Sequence, residues 1–363
     1  SASRFTVESG GGTSSNKANP FIIFGETELS ETYGQCYGFN LLYSGNHQET
    51  LEIGGHGRAR FLSGIHPEFL EITLQPLESF CSPEAVQTFS DGGYQQISLH
   101  MHAFVREHIV RGYWKKKERP ILINSWEAMY FDVREKKVLK LAKEAAKAGI
   151  ELFVLDDGWF GKRNSDKEAL GDWKDNTEKL PGGLAGLSER IHAMGMKFGI
   201  WVEPEMVSEN SELYRAHPDY AVTVPGTEPA RGRNQLLLDL AREEVQEYLI
   251  GIACYWIREY GIDGWRLDVS DEVSHVFWRR FREAVKKEKA DAVIIGENWH
   301  DAYPYLRGDQ YDSIMNYAFT KACLDYFARK TFDAKQMAEK LSSNLMRNME
   351  PVNRMMLNLL DSH

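Results

Sequence analysis

The chain contains few cysteines, and their spacing fits neither a metal site nor a disulfide framework. Its 363 residues include only Cys36, Cys81, Cys254 and Cys323, and no two of these form a C-x-x-C motif. Scattered cysteines of this kind are typical of a reducing compartment. We therefore expect a cytoplasmic protein without a metal site.

The sequence also lacks the features of membrane, secreted, nucleic-acid-binding and nucleotide-binding proteins. No apolar run reaches the roughly 18 residues of a membrane span, and the beginning, SASRFTVESGGG, lacks the apolar core of a signal peptide. The net charge of −10 argues against nucleic acid as a partner, because phosphate binding requires concentrated lysine and arginine. The sequence has neither a glycine-rich phosphate loop nor a G-x-S-x-G motif. We expect no cofactor, no membrane and no nucleic-acid partner.

The character of the sequence changes near residue 118. Before it, short alternating runs such as YGFNLLYSG and ETLEIGG are broken by glycine, asparagine and serine. This pattern predicts an antiparallel β-sandwich over residues 1–117. Over residues 118–363 the pattern becomes strand, loop and helix in repetition, which predicts parallel β/α units. The expected fold class is therefore α/β, a (β/α)8-type TIM barrel preceded by an antiparallel β-sandwich.

Seven candidate strands can be counted in the second part. They cover residues 120–126, 151–157, 197–205, 264–269, 292–298, 313–318 and 354–361. Six of them end in polar or charged residues, mostly acids and tryptophan, and the active sites of β/α barrels form at the carboxyl ends of the strands. This pattern favours a barrel over an open sheet. Seven strands leave the barrel incomplete, so we expect its free edge to be covered by a neighbouring segment or to mediate self-association into a homo-oligomer.

Helices are predicted between these strands. One is expected to begin with Asp132 as its N-cap, because Glu135 follows three residues later. A second runs from about 242 to 260, and a third contains Trp278 and Phe281.

Asp268 and Glu297 end consecutive predicted strands, so their side chains should face the same mouth of the barrel. Two carboxyl groups about 5–5.5 Å apart suit a retaining glycoside hydrolase, where one is the nucleophile and the other the acid and base. Arg266 points to the same face as Asp268 and would keep the nucleophile ionised. A nearby anion would raise the pKa of Glu297 so that it can donate a proton. The alternative is a purely structural Arg266–Asp268 ion pair.

A second acidic group follows the second barrel strand. Asp156 and Asp157 are vicinal, and carboxylates are good acceptors for sugar hydroxyls. A divalent cation held by this pair with Glu203 or Glu205 is the competing interpretation, but no His-x-His or Asp-x-Asp loop adjoins these acids to support it.

Aromatic and histidine side chains near strand ends supply further candidates. Trp126 and Trp201 lie at the ends of the first and third barrel strands, where an indole face can stack on a pyranose. His300 and His363 could hydrogen-bond a substrate.

Residues 1 to about 240 resemble the α-galactosidases of glycoside hydrolase family 36. The matching phrases include RPILINSWEAMYFD, LFVLDDGWFGKR, FGIWVEPEMVSENSELYRAHPDY and GRNQLLLDLAREEV. The resemblance implies a galactosyl-binding site in which the vicinal aspartates contact the O4 and O6 hydroxyls. Its members would be Trp126, Asp156, Asp157, Trp201 and Arg233. Relative to that family, the N-terminal sandwich looks truncated.

From about residue 250 the chain instead resembles family 13, near the neopullulanases and cyclomaltodextrinases. YWIREYGIDGWRLDV, IIGENWHDAYPYLRGDQYDSIMNYAF and NRMMLNLLDSH carry this likeness. It implies that Arg266 precedes the nucleophile Asp268, that Glu297 is the acid/base and that His363 binds substrate. The third acid of family 13 would follow His363, where the sequence ends. The whole looks like a recombined or engineered barrel, with a family 36 front to about residue 245 and a family 13 back.

Together these features predict a retaining α-glycoside hydrolase, most similar to an α-galactosidase, acting on α-galactoside or α-glucan oligosaccharides. Hydrolysis of α-glucans, as in neopullulanases and cyclomaltodextrinases, is the first alternative. The second is a folded chimera with little or no activity, because losing one catalytic carboxylate can lower a rate by orders of magnitude.

Overall fold

The protein forms two compact units. This computed structural model describes residues 3–14, 17–68, 70–233, 235–300, 302–348, 350–360 and 363. The first unit comprises residues 1–110, 301–307 and 348–352, and the second comprises residues 111–300, 308–347 and 353–363. The domain boundary expected between residues 117 and 118 stays a prediction.

Six antiparallel strands and one long helix make up most of the first unit. They are β1 (Ser3–Ser9), β2 (Phe21–Gly25), β3 (Cys36–Leu42), β4 (His47–Ile53), β5 (Ala59–Ile65), β6 (Glu84–Ser90) and α1 (Tyr94–Phe104). The strands pair in two sheets, in the orders β1-β4-β5 and β2-β3-β6. Phe24, Phe39 and Phe61 join the two sheets, with ring centroids 4.8 to 5.6 Å apart. Aromatic contacts of this kind add to the burial that stabilises such a small sandwich.

Nine strands lie within the described residues of the second unit. They are β7 (Leu122–Asn124), β8 (Leu152–Leu155), β9 (Lys197–Val202), β10 (Met206–Val207), β11 (Arg231–Gly232), β12 (Gln235–Leu237), β13 (Gly264–Leu267), β14 (Val293–Gly296) and β15 (Ser313–Ile314). Six form a parallel sheet in the order β7-β8-β9-β13-β14-β15, and the other three form a small antiparallel sheet. Strands that are successive in the chain are neighbours in the parallel sheet, which is the arrangement of a β/α barrel. The predicted fold class, a partial parallel barrel preceded by antiparallel sheets, is confirmed.

Helices alternate with the barrel strands as the sequence pattern predicts, and three more follow the last strand, β15. They are α2 (Trp126–Met129), α3 (Glu135–Lys147), α4 (Gly183–His192), α5 (Glu212–Ala216), α6 (Glu243–Tyr260), α7 (His275–Glu288), α8 (Tyr317–Cys323), α9 (Ala334–Arg347) and α10 (Glu350–Asn353). α6 ends at Gly261, whose φ of 66° is the left-handed conformation that glycine adopts without strain. In the part of the chain that the structure describes, no helix has both the length and the apolar character needed to cross a membrane.

The predicted N-cap of α3 was wrong. The helix begins at Glu135, and Arg134 occupies the N-cap position without a capping side-chain bond. The carboxylate of Asp132 instead accepts hydrogen bonds from Arg134 Nε, at 2.6 Å, and from Lys137 Nζ. The Asp132 carboxylate, which the sequence pattern predicted to accept a hydrogen bond from the first turn of α3, is therefore bound by two charged side chains.

The core of the second unit lies on the face that its parallel strands share. All residues of β8, β13 and β14 are buried, which explains their nearly continuous apolar sequences. Leu152 and Val154 from β8 pack with Val293 and Ile295 from β14 and with Met315. This packing aligns the strands, so that the residues following each strand meet at one end of the barrel.

The seventh predicted strand, over residues 354–361, does not form, and this part of the prediction was wrong. Leu357 makes a single parallel bridge with Met315, just after α10. Leu357 and Leu359 still pack against the core of the sheet. The apolar run therefore buries its side chains without extending the hydrogen-bond ladder. Asp361, at the end of that predicted strand, lies outside the described residues.

We expect Asp263→Asn to lower the free energy of unfolding at neutral pH by about 2 kcal/mol. Asp263 precedes β13 and accepts hydrogen bonds from the Phe198 amide at 2.8 Å and Lys289 Nζ at 2.5 Å, with His192 Nε2 at 2.6 Å. Burial opposes its ionisation, but these partners lower the pKa of Asp263 to about 2. In the wild type this stabilisation is present above the ordinary pKa of 3.8 and is lost as the pH falls towards 2.

Urea denaturation at pH 7 and at pH 3 measures this effect. The exposed Asp219→Asn is the matched control. Equal unfolding midpoints for the two variants at pH 7 would show that Asp263 does not stabilise the barrel.

Candidate active site

A cavity of about 350 Å³ opens at the carboxyl ends of the first four barrel strands. Its volume falls within the roughly 300–1,000 Å³ of small-molecule sites. Seven of the ten predicted site residues line it: Trp126, Asp156, Asp157, Trp201, Arg233, Asp268 and His363. The sequence did not predict the other five lining residues as substrate contacts: Phe131, Arg163, Asp166, Glu203 and Gln235. Five of the twelve lining residues are therefore carboxylates, and two are arginines.

Asp268 directly follows β13 and faces this cavity with a side chain that is 17% exposed. Trp201 Nε1 donates to its Oδ1 at 3.2 Å, and Arg233 Nη1 donates to its Oδ2 at 3.3 Å. Arg266 Nη1 forms a further short contact with Oδ1. Burial disfavours the charge, but the two guanidinium groups prevail and lower the pKa of Asp268 below its ordinary value. Asp268 is thus an ionised, accessible carboxylate, as a nucleophile must be.

The residue after Asp268 has a strained backbone. Val269 has a φ of 33°, a left-handed conformation that is rare for a β-branched side chain. Such strain costs on the order of 1–3 kcal/mol and occurs mostly where a site must be held in one geometry. The Val269 amide donates to Glu297 Oε2 at 3.1 Å, and Ser270 Oγ donates to the Glu297 carbonyl at 2.7 Å. These bonds tie the loop after β13 to the loop after β14.

Arg266 brings the two predicted catalytic carboxylates together. Its Nη1 contacts Asp268, and its Nη2 lies 2.9 Å from Glu297 Oε1. Tyr317 donates its hydroxyl proton to the same Glu297 oxygen at 2.6 Å. Burial raises the pKa of Glu297 above its ordinary value, and the charge of Asp268 adds to this shift against the opposing effect of Arg266. Glu297 and Arg266 are buried beneath the cavity and are not among its lining residues.

The vicinal aspartates after β8 have separate partners. Asn124 Nδ2 donates to Asp156 Oδ2 at 2.6 Å, and the Asp157 amide donates to Asp156 Oδ1 at 2.9 Å. Asp157 is bound by Arg163, whose Nη2 donates to Oδ2 at 2.8 Å. Burial raises the pKa of Asp157 to about 6, although Arg163 opposes this shift. Both carboxylates reach the cavity wall, as the sequence predicts for the end of this strand.

Arg233 faces three carboxylates with one guanidinium group. Its Nη2 lies 2.7 Å from Glu203 Oε1 and 2.6 Å from Glu205 Oε1, while Nη1 bonds Asp268. Burial raises the pKa of Glu203 to about 8 and that of Glu205 well above its ordinary value, and the neighbouring carboxylates add to both shifts. Glu205 Oε2 is buried and, among the described residues, has no hydrogen-bond partner. One guanidinium that also serves Asp268 cannot neutralise two buried glutamates, so this glutamate pair holds a proton at neutral pH.

Three of the four acids that were considered as metal ligands have close guanidinium partners. Asp157 pairs with Arg163, and Glu203 and Glu205 pair with Arg233. No group of three or more His, Cys, Asp or Glu side chains within the described ranges is arranged to hold a metal ion.

Three of the four predicted aromatic and histidine residues line the cavity, and Trp201 does so in a role other than the one expected. Trp201 is 3% exposed and lies parallel to Phe160, so its indole N–H, and not an open face, serves the site. Trp126 is more accessible, and its ring lies 6.1 Å from that of His363, which also lines the cavity. His300 is exposed and lies outside the cavity lining. The structure thus brings Trp126 and His363 to the site but does not bring His300 there.

A parallel β/α sheet with carboxylates around a cavity at its strand ends is the arrangement found in barrel glycoside hydrolases. The sequence profile described as Melibiase matches residues 79–316, and that of the glycosyl hydrolase family 36 N-terminal domain matches residues 1–75. The chain therefore belongs to the melibiase family and carries the N-terminal domain of glycosyl hydrolase family 36.

Several known α-galactosidases are similar to the chain. AgaA of Geobacillus stearothermophilus is 49% identical over 244 residues, which cover 67% of this chain and 34% of AgaA. Alpha-galactosidase 1 of Pediococcus pentosaceus is 36% identical over 318 residues, covering 84% of this chain and 43% of that protein. The crystal structure of an AgaA variant in complex with stachyose aligns with a TM-score of 0.69 at 31% identity, covering 97% of this chain and 57% of that one.

The chain spans about a third of the length of the curated relatives it matches, with shares from 28% to 43%. The Melibiase match also runs across residues 240–250, where the sequence motifs suggested a change of family. The likeness to family 36 therefore extends further along the chain than the motifs indicated.

Proposed function

We propose that the chain is a retaining α-galactosidase with Asp268 as its nucleophile. The observation that carries the proposal is the position of Asp268. It is ionised by Arg266 and Arg233 and lies in the wall of a 350 Å³ cavity that also presents Asp156 and Asp157. Two carboxylates in that wall can accept hydrogen bonds from the hydroxyls of one sugar ring. The similarity to α-galactosidases supports the same conclusion.

The reaction would proceed in two displacement steps. In the first, an Asp268 oxygen bonds to the anomeric carbon while the glycosidic bond breaks, and Glu297 protonates the departing oxygen. In the second, Glu297 removes a proton from water, the hydroxide attacks the anomeric carbon, and Asp268 is released. The raised pKa of Glu297 and the lowered pKa of Asp268 suit these two roles at one pH.

The remaining predicted residues would bind and orient the galactosyl unit. Asp156 and Asp157 would accept hydrogen bonds from its hydroxyls, and Trp126, Trp201, Arg233 and His363 would complete the wall of the cavity. Arg266 would hold both catalytic carboxylates from beneath. Suitable substrates are α-galactosyl oligosaccharides, since variants of AgaA form complexes with raffinose and stachyose.

The family 13 likeness of residues after about 250 stays a prediction of the sequence motifs. It is supported by Arg266 on β13, by Asp268 directly after that strand and by Glu297 directly after the next strand. A join between two families near residues 240–250 has no support in the family profile, which matches without interruption there.

Rates on p-nitrophenyl α-galactoside, p-nitrophenyl α-glucoside and cyclodextrin test the proposal. We expect the galactoside to be preferred by at least about a hundredfold in kcat/KM, because buried carboxylates that bind specific hydroxyls reject a sugar that places them differently. A preference for the glucoside or cyclodextrin would favour the α-glucan alternative. The absence of any turnover above that of Asp268→Asn would favour a folded but inactive chain.

A further inference from the structure

We propose that Arg163 is a positioning residue that fixes the carboxylate of Asp157 and leaves one of its lone pairs open to the cavity. Arg163 Nε lies 3.0 Å from Asp157 Oδ1 and 3.2 Å from Oδ2, and Nη2 lies 2.8 Å from Oδ2. A carboxylate offers about four acceptor positions. The guanidinium occupies Oδ2 more fully than Oδ1, so Oδ1 retains the capacity to accept a sugar hydroxyl. That last step rests on the proposed function.

Arg163 is itself held rigidly, which a positioning role requires. Its side chain is 2% exposed, and its Nη1 donates to the Glu168 carbonyl at 3.1 Å. The guanidinium carbon lies 5.7 to 5.8 Å from the ring centroids of Phe131, Phe160 and Trp201. A planar cation surrounded by aromatic rings and bonded at two ends has little rotational freedom.

The backbone around Arg163 is also fixed by a half-buried cation. Lys179 Nζ donates to the carbonyl oxygens of Arg163 at 2.6 Å, Gly158 at 2.9 Å and Phe131 at 3.2 Å. These bonds close the loop that follows Asp157 onto the segment before α3. Arg163 is therefore presented to Asp157 in a single geometry.

The neighbouring Asp156 does not depend on Arg163. It receives Asn124 Nδ2 at 2.6 Å, and its nearest guanidinium atom, Arg266 Nε, is 4.0 Å away. Because the two vicinal carboxylates have independent supports, a change at Arg163 should alter Asp157 and spare Asp156. This separation makes the inference testable at one residue.

A merely structural role for Arg163 would predict lower stability and nothing specific at Asp157. A positioning role predicts that removing the guanidinium changes the ionisation of that one carboxylate. An opposite charge in contact lowers the pKa of an acid by about 1–3 units. Burial without Arg163 would therefore leave Asp157 protonated over a wider pH range.

The direct test is an NMR titration of carboxyl carbons in aspartate-labelled protein, with the Asp157 signal assigned by Asp157→Asn. We expect the titration midpoint of Asp157 to rise by at least about one pH unit in Arg163→Gln. It should rise less in Arg163→Lys, because lysine keeps the positive charge but cannot bond both carboxylate oxygens as the guanidinium does. The exposed Arg258→Gln is the matched control and should not move it. An unchanged midpoint in Arg163→Gln would overturn the proposal.

If circular dichroism shows that Arg163→Gln does not fold, Arg163→Lys tests the proposal in its place. Calorimetric titration with galactose at neutral pH should then show affinity weakened by on the order of tenfold, the loss expected for a charge-assisted hydrogen bond. Wild-type affinity in a folded Arg163→Lys would contradict the positioning role. A wild type that binds no galactose would instead count against the proposed function, while the carboxyl titration would still decide the role of Arg163.

Discussion

Asp268→Asn should lower kcat on p-nitrophenyl α-galactoside by at least about a thousandfold and leave galactose binding largely intact. An amide cannot form the covalent bond to the anomeric carbon, so both steps of the reaction are lost. The side chain keeps its size, and the Trp201 indole can still donate to its oxygen. The change therefore removes the reacting atom while conserving the wall of the cavity.

Steady-state rates and galactose calorimetry measure these two effects separately. The exposed Asp219→Asn is the matched control and should retain wild-type rates. A residual rate in Asp268→Asn within tenfold of the wild type would mean that another group attacks the sugar. Simultaneous loss of galactose binding would mean that the variant has lost the cavity and not only the nucleophile.

The barrel could be predicted from sequence wherever local and global preferences agree. The first five predicted strands are apolar runs that end in polar or charged residues, and these five and the run at 313–318 each form a strand with trimmed ends. The segment 354–361 has the same apolar character, yet only Leu357 forms a bridge. Burial of Leu357 and Leu359 satisfies the hydrophobic pattern whether or not a ladder forms, and composition alone cannot distinguish the two outcomes.

Site residues that directly follow a barrel strand could be predicted from the sequence. Those that reach the cavity from other segments could not. Asp156, Asp157 and Asp268 follow strands directly, so topology alone places them at one mouth. Arg163 and Gln235 reach the cavity from segments outside the barrel strands, and their contacts depend on tertiary folding of those segments. For Arg163, an arginine six residues beyond a predicted carboxylate in DDGWFGKR was the only available signal.

Side-chain direction was a second limit of the sequence. Trp201 was expected as a stacking face, but it is buried and serves as a hydrogen-bond donor to Asp268. Glu297 was expected to face the cavity, but it lies beneath the cavity wall, in contact with Arg266 and Tyr317. The position of a residue at a strand end follows from the pattern, while the orientation of its side chain follows from its partners.

Glu297→Gln should lower kcat on raffinose by about 10²–10⁴-fold and should affect p-nitrophenyl α-galactoside much less. Raffinose needs a proton on its departing oxygen, whereas nitrophenolate leaves without one. The alkaline fall in activity on raffinose, which reports deprotonation of the acid, should also disappear. In the wild type that fall lies above the ordinary glutamate pKa of 4.5, because burial raises the pKa of Glu297.

The matched variant for this test is Glu203→Gln. Glu203 lines the cavity, and burial raises its pKa to about 8, so it also carries a proton at neutral pH. It is bound to Arg233, which also bonds the nucleophile, whereas the sequence motifs assign the acid/base role to Glu297. We therefore expect Glu203→Gln to change kcat on raffinose and on p-nitrophenyl α-galactoside by the same factor. A leaving-group-dependent loss in Glu203→Gln, with none in Glu297→Gln, would transfer the acid/base role from Glu297 to Glu203.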